Sequence, residues 1–205
     1  MISPRILGAA VLALTLPLAG CGTSKPAASN AHFDFGALGP VSAPAAQAPL
    51  AAIVVMDATG SPALENERMM YRLNYDDPLQ ARTYANSRWS ASPLILVTQR
   101  LKARLAQAGI KVLSATDTTT GVPIMRVEVD EFTHAFASAS QSEGQLVLRA
   151  SVFRGHTLLD QKTFSRASPA PSADAAGGVR ALGASLDGTA ADIIAWLAGI
   201  DTRTQ

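Results

Sequence analysis

Met125-Arg126-Val127-Glu128-Val129-Asp130-Glu131-Phe132-Thr133-His134-Ala135-Phe136 changes phase halfway along. Met125, Val127 and Val129 place apolar side chains at odd positions, whereas Phe132 and Phe136 continue at even ones. Side chains of a strand alternate between faces, so an unbroken strand would turn one of these sets into solvent. A one-residue bulge near Asp130-Glu131 keeps both sets on one face. The reading is one long strand from Val122 to Phe136 with a buried side. Leu146, Leu148, Ala150 and Val152 then alternate with Val147, Arg149 and Ser151. Arg154-Gly155-His156 turns that strand into another running to about Phe164, which makes an antiparallel hairpin.

Upstream, Ile53-Val54-Val55-Met56 is an uninterrupted apolar run, as a strand covered on both faces requires. Met69, Tyr71, Leu73 and Tyr75 alternate with Met70, Arg72 and Asn74, and Asp76-Asp77-Pro78 is expected to end that strand in a turn. His32-Phe33-Asp34-Phe35-Gly36 reads as a short edge strand, and the stretch from Pro40 to Pro49 as irregular. Ser92 as N-cap and Pro93 as first helical residue open a helix that Gly109 stops. Leu94, Val97, Leu101, Leu105 and Ala108 form its apolar stripe. A last helix is expected from about Ser172 to Leu197, with Val179, Leu182, Leu186, Ala190, Ile193 and Leu197 in helical spacing. Its glycines at 177, 178, 183 and 188 imply either close packing on a sheet or a break near Gly188. The fold class is α/β: one domain of two or three layers, with a mixed, mostly antiparallel sheet and two main helices.

The 205-residue chain is 48% hydrophobic and 16% charged, which excludes a disordered tail and a charged coiled coil. Its formal net charge of +1 gives no basic footprint for nucleic acid. A single cysteine excludes an intrachain disulfide, and three histidines without ligand spacing leave no metal or other cofactor expected. The cysteine has a different use. Arg5 followed by an apolar run from Ile6 to Leu18 is too short to span a bilayer and reads as a signal peptide over residues 1–20. Leu18-Ala19-Gly20-Cys21 resembles the lipobox of bacterial lipoproteins. That resemblance implies cleavage before Cys21, diacylation of its sulfur and acylation of the new amino terminus, with palmitate among the chains. Gly22 stands where inner-membrane retention commonly uses Asp, which favours the outer membrane. Residues 21–31 form the lipidated cysteine and a flexible tether, 32–200 the domain and 201–205 a tail. The leader removes one of 17 basic residues and none of the 16 acidic ones, so the mature chain is neutral.

Catalytic patterns are sparse. Gly183-Ala184-Ser185-Leu186-Asp187 begins like a nucleophile elbow but has Asp in place of the second Gly and lies inside a helix. No phosphate-binding glycine loop occurs. Asp76-Asp77 reads as a solvated turn, Asp130-Glu131 as a polar bulge, and His134 as a satisfied core histidine. Tyr84-Ala85-Asn86-Ser87-Arg88-Trp89-Ser90-Ala91-Ser92-Pro93 puts Arg and Trp just before a capped helix. Those residue types dominate interface hot spots. The packing alternative has Trp89 beneath the helix start and Arg88 paired with a carboxylate such as Asp77.

With the lipobox, Phe33-Asp34-Phe35-Gly36, Met70 to Tyr75, Tyr84 to Pro93, Asp130-Glu131-Phe132, Leu146 to Ala150 and Asp174 to Leu182 before Trp196-Leu197, the chain resembles the ABC-type transport auxiliary lipoproteins, the PqiC-like group found with MCE lipid-transport systems. The resemblance implies a non-enzymatic, periplasm-facing subunit held at the outer membrane through acylated Cys21. It would dock an MCE-domain carrier served by an ABC permease and ATPase, support membrane integrity, and allow assembly into a homo-oligomer. Arg72, Arg88 and Trp89 are the expected partner-binding residues, with no catalytic and no metal residues. A surface hydrolase or other outer-membrane lipoprotein enzyme is the alternative.

Overall fold

The computed structural model describes residues 30–39, 50–117 and 120–200. The expected leader, Cys21, the tether before Asn30, the Pro40-to-Pro49 stretch and the tail lie outside the described residues. In chain order the elements are β1 (Ala31–Phe33), β2 (Ala52–Val55), β3 (Thr59–Gly60), a 3-10 turn (Pro62–Leu64), β4 (Arg68–Leu73), β5 (Asp77–Trp89), α1 (Pro93–Gln107), β6 (Lys111–Leu113), β7 (Ile124–Phe136), β8 (Ser142–Arg154), β9 (Thr157–Pro169) and α2 (Ala175–Gly199).

β7 is the spine. β8 lies antiparallel along its whole length, and β9 lies antiparallel outside β8. The other edge of β7 is shared by three short parallel strands: β2 at Ile124 and Met125, β3 at Glu128 and Val129, and β4 from His134 to Phe136. β6 extends the sheet beyond β2, while β5 and then β1 extend it beyond β4. The sheet is therefore mixed, with antiparallel long ladders and mostly parallel short ones.

The phase change in β7 is resolved by a bulge. Val129 faces Leu148 and Glu131 faces Val147, so Asp130 is the extra residue. Met125, Val127, Val129, Phe132 and Phe136 are all buried as a result. The β8–β9 connection is a two-residue turn in which Gly155 adopts φ 55°, the left-handed conformation that twist-matched hairpins need.

Both helices cover the same face of the sheet. Ser92 Oγ accepts from the Ile95 N–H at 3.4 Å at the start of α1, and Pro93 is its first residue. Leu94, Val97, Leu101 and Leu105 are buried, joined by Leu96. At α2 the Asp174 carboxylate accepts from the Gly177 N–H at 2.7 Å. α2 runs unbroken through Gly188, so its glycines serve close packing rather than a break. The strand contributes a glycine of its own: a Cβ on Gly144 of β8 would lie 2.4 Å from the backbone nitrogen of Leu182. Glycine is what lets the helix sit directly on the strand. The opposite face of the sheet carries exposed Arg126 and Glu128, the polar-out half of the alternation.

Three strands differ from expectation. β5 occupies the segment read as a turn and an approach to the helix, and β3 and β6 are too short to show a period. Tyr75 lies in the turn Asn74–Asp76 rather than at the end of β4.

Candidate docking surface

Adjacent strand residues point to opposite faces, and Met69 and Trp89 are 2% and 1% exposed on the helix side. Arg68 and Arg88, their neighbours, therefore project from the helix-free face. They sit directly opposite each other across β4–β5, and Arg88 sits opposite His32 across β1–β5. His32, Arg88 and Arg68 thus form one row across three strands, and none of them has an ion-pair partner among the described residues. Like charges directly opposite in a sheet are destabilising, so the row is not there for stability. Arg72 projects from the same face; it lies 3.7 Å from Glu131, and its Nη1 donates to the Pro78 carbonyl at 3.3 Å.

Of the three expected partner-binding residues, Arg72 and Arg88 share this face and Trp89 does not. Trp89 packs inside against Phe35 and Phe132, with ring centroids 5.4 and 5.5 Å away. Its burial follows the packing alternative, but the expected Arg88–Asp77 pair does not form. Asp77 faces Leu73 and Arg88 faces Arg68, five β4 residues apart, or about 17 Å at strand rise. Arg68 and His32 escaped sequence reading because a cross-strand row has no signature along the chain.

Two polar constellations tie the helices into the fold, one buried and one half-buried. In the first, His134 is 1% exposed, its Nδ1 lies 2.8 Å from the Tyr84 hydroxyl, and Tyr71 and Phe136 pack around them. A Cβ at Gly178 of α2 would lie 2.4 Å from Nδ1, so the helix backbone closes the site. Burial, then neighbouring Tyr71 and Asp174, push the Tyr84 phenol up, and it stays protonated. Tyr84 therefore donates to Nδ1, which puts the imidazole proton on Nε2, a buried atom with no hydrogen-bond partner among the described residues. In the second, Asp187 of α2 receives both Arg100 and Arg104 of α1. Ser185, the serine of the incomplete elbow, is fully buried and donates to the Gly144 carbonyl at 2.7 Å. Among the described residues no cluster of three or more His, Cys, Asp or Glu is placed to hold a metal. No described helix is long and apolar enough to cross a membrane.

A family model described as the ABC-type transport auxiliary lipoprotein component matches residues 33–194. The chain belongs to that family. Among solved structures, this auxiliary lipoprotein is similar to protein XCC0632 from Xanthomonas campestris, at 17% identity and TM-score 0.64, over 76% of this chain and 89% of that one. It is also similar to an uncharacterized protein at 11% identity and TM-score 0.62, over 82% of this chain and 98% of the other. At these identities the likeness is one of fold. No curated protein matches the chain. The family is a transport accessory and not an enzyme class.

His134 gives the auxiliary lipoprotein a pH-dependent stability. Burial lowers its pKa from 6.5 to about 4, against a smaller opposing pull from Asp174. Between those values the unfolded chain binds a proton that the folded one refuses, so stability is whole above about pH 6.5 and falls as pH drops toward 4. The loss is up to about 3 kcal/mol across that window. Asp174 and Asp187 are held below the ordinary carboxylate value, so their contributions are lost only at lower pH. Urea midpoints measured from pH 7 to 4 should show the decline. A His134→Phe, Tyr84→Phe double variant, with neither polar partner left unpaired, should be flat over the same range. Equal slopes would refute the assignment.

Proposed function

We propose that this lipoprotein is held at the outer membrane by acylated Cys21, faces the periplasm, and docks an MCE-domain protein that carries lipid between membranes, with an ABC permease and ATPase supplying energy elsewhere. The observation that carries the docking half is the His32–Arg88–Arg68 row, without an ion-pair partner among the described residues and extended by Arg72, on the helix-free face. Such a row suits an acidic segment of the carrier, steering its approach and fixing its register. Buried Trp89 contributes by holding β5 in place from beneath, acting on the row without touching the partner.

Arg88→Glu separates docking from stability. The new carboxylate faces Arg68, converting a repulsive cross-strand pair into an attractive one worth about 0.2–1 kcal/mol, so the fold should be unchanged or slightly more stable. Capture of the MCE-domain protein by the full chain, extracted gently in detergent, should weaken at least about tenfold at low salt. Equal retention by the variant would move the docking surface elsewhere. No retention by the unaltered chain would remove the docking role itself.

A further inference from the structure

The eight residues from Asn74 to Ala81 are exposed without exception. They contain two of the four large apolar side chains left exposed in the described fold, Tyr75 at 52% and Leu79 at 89%. β4 ends with Leu73 level with Phe136, the last residue of β7, so this loop projects past the end of the spine. The register then jumps from Leu73–Asp77 to Tyr71–Arg82, and the residues between bulge outward. Two of its carboxylates are engaged: Asp76 pairs with Arg82 at 2.6 Å, and Asp77 accepts from the Leu79 N–H at 2.9 Å. The adjacent β7–β8 turn, Ala137 to Gln141, carries no charge.

The direction of the chain supplies the second observation. β5 runs away from the loop, and β1 lies parallel to it with Ala31 against Ser87. Asn30, the residue before β1, therefore lies on the side of β1 nearer the loop. Arg88 lies level with Arg68, five residues or about 17 Å from the level of Leu73. The nine residues Gly22 to Asn30 reach up to about 30 Å when stretched, enough to bring Cys21 to the loop with length to spare.

We propose that the Asn74–Ala81 loop rests on the phospholipid bilayer that holds Cys21, with Leu79 entering the acyl boundary and Tyr75 at headgroup level. Tyrosine suits that position because its ring is apolar and its hydroxyl is hydrated. Two side chains are too few to bind a bilayer from free solution. Tethered by a short linker, the loop meets the surface as an intramolecular event at high effective concentration. Without its leader the chain has no formal net charge to draw it as a whole to an anionic surface. This inference rests on acylation of Cys21, so the test reads the two separately.

The full chain, matured with its own leader, is reconstituted in phosphatidylethanolamine–phosphatidylglycerol vesicles containing nitroxide-labelled lipid. The native thiol is acylated, so Leu79→Cys provides the one site for a fluorescent label. His156→Cys, exposed in the β8–β9 turn at the opposite end of the sheet, is the control. The label at 79 should lose most of its emission and the label at 156 almost none. Equal, weak quenching at both sites on chains that float with the vesicles would overturn the loop contact and leave the anchor standing. Chains that fail to float would overturn both. A label at 79 shielded only after an MCE-domain protein is added would overturn the bilayer contact in favour of a protein one.

Discussion

A Cys21→Ser chain is expected to keep its leader, carry no acyl mass and lose stable attachment through lipid. Each methylene buried in a bilayer contributes roughly 0.8 kcal/mol, and a single myristoyl-sized chain gives only reversible residence, about 10⁴ M⁻¹. Three chains on one residue raise attachment by many orders of magnitude, and one substitution removes them all. The folded domain should not register the change. Among the described residues its first core contacts along the chain come from Phe33 and Phe35, and the family match begins at residue 33. Intact mass should therefore show the retained leader, while the thermal midpoint of the domain stays within error. Once freed of the leader, the serine chain should remain in solution when vesicles are floated. Normal maturation of the variant would refute the lipobox reading. The loop proposal makes a linked demand: without the anchor, a label at position 79 should stay wet beside the same vesicles.

What could be read along the chain were the features that alternate or punctuate. The bulge at Asp130 follows from two incompatible phases in one strand, because burying both sets leaves no other solution. The caps at Ser92 and Gly109 follow from local backbone chemistry and needed no tertiary information. β5 was opaque for the opposite reason. Most of its residues are exposed, and two register jumps against β4 erase any period. Its apolar anchor, Trp89, faces inward, while the residues that define a surface, His32, Arg68 and Arg88, become neighbours only when three strands align. The elbow-like motif shows how composition misleads. Asp187, whose presence spoils the motif, belongs to an ionic clamp between two helices, and Ser185 is a buried packing residue.

Replacing Asp187 by alanine is expected to cost about 3 kcal/mol, the low end of what stranding partly buried charges costs. Burial opposes ionisation of this carboxyl, yet hydrogen bonds from Arg104 and Arg100 outweigh it and hold the group ionised. Arg100 reaches it through Nε at 2.7 Å and Nη2 at 2.8 Å, and Arg104 through Nε at 2.8 Å and also through Nη2. The arginine side chains are only 10% and 14% exposed, and they stand one helical turn apart. Without the carboxylate, two guanidiniums would face each other at the α1–α2 seam with little water to screen them. The effect should spread to the segment after β1. Arg100 Nη1 donates to the carbonyls of Phe35 and Gly36, and Arg104 Nη1 to that of Gly39. Asp187→Ala should therefore speed proteolysis around Gly36–Gly39 as well as lower the urea midpoint. Replacing Asp187, Arg100 and Arg104 together by leucine should recover most of the midpoint, because no charge is left stranded, but not the protection of that segment. A loss below about 1 kcal/mol for the alanine variant would place the pair with ordinary surface ion pairs and refute the clamp.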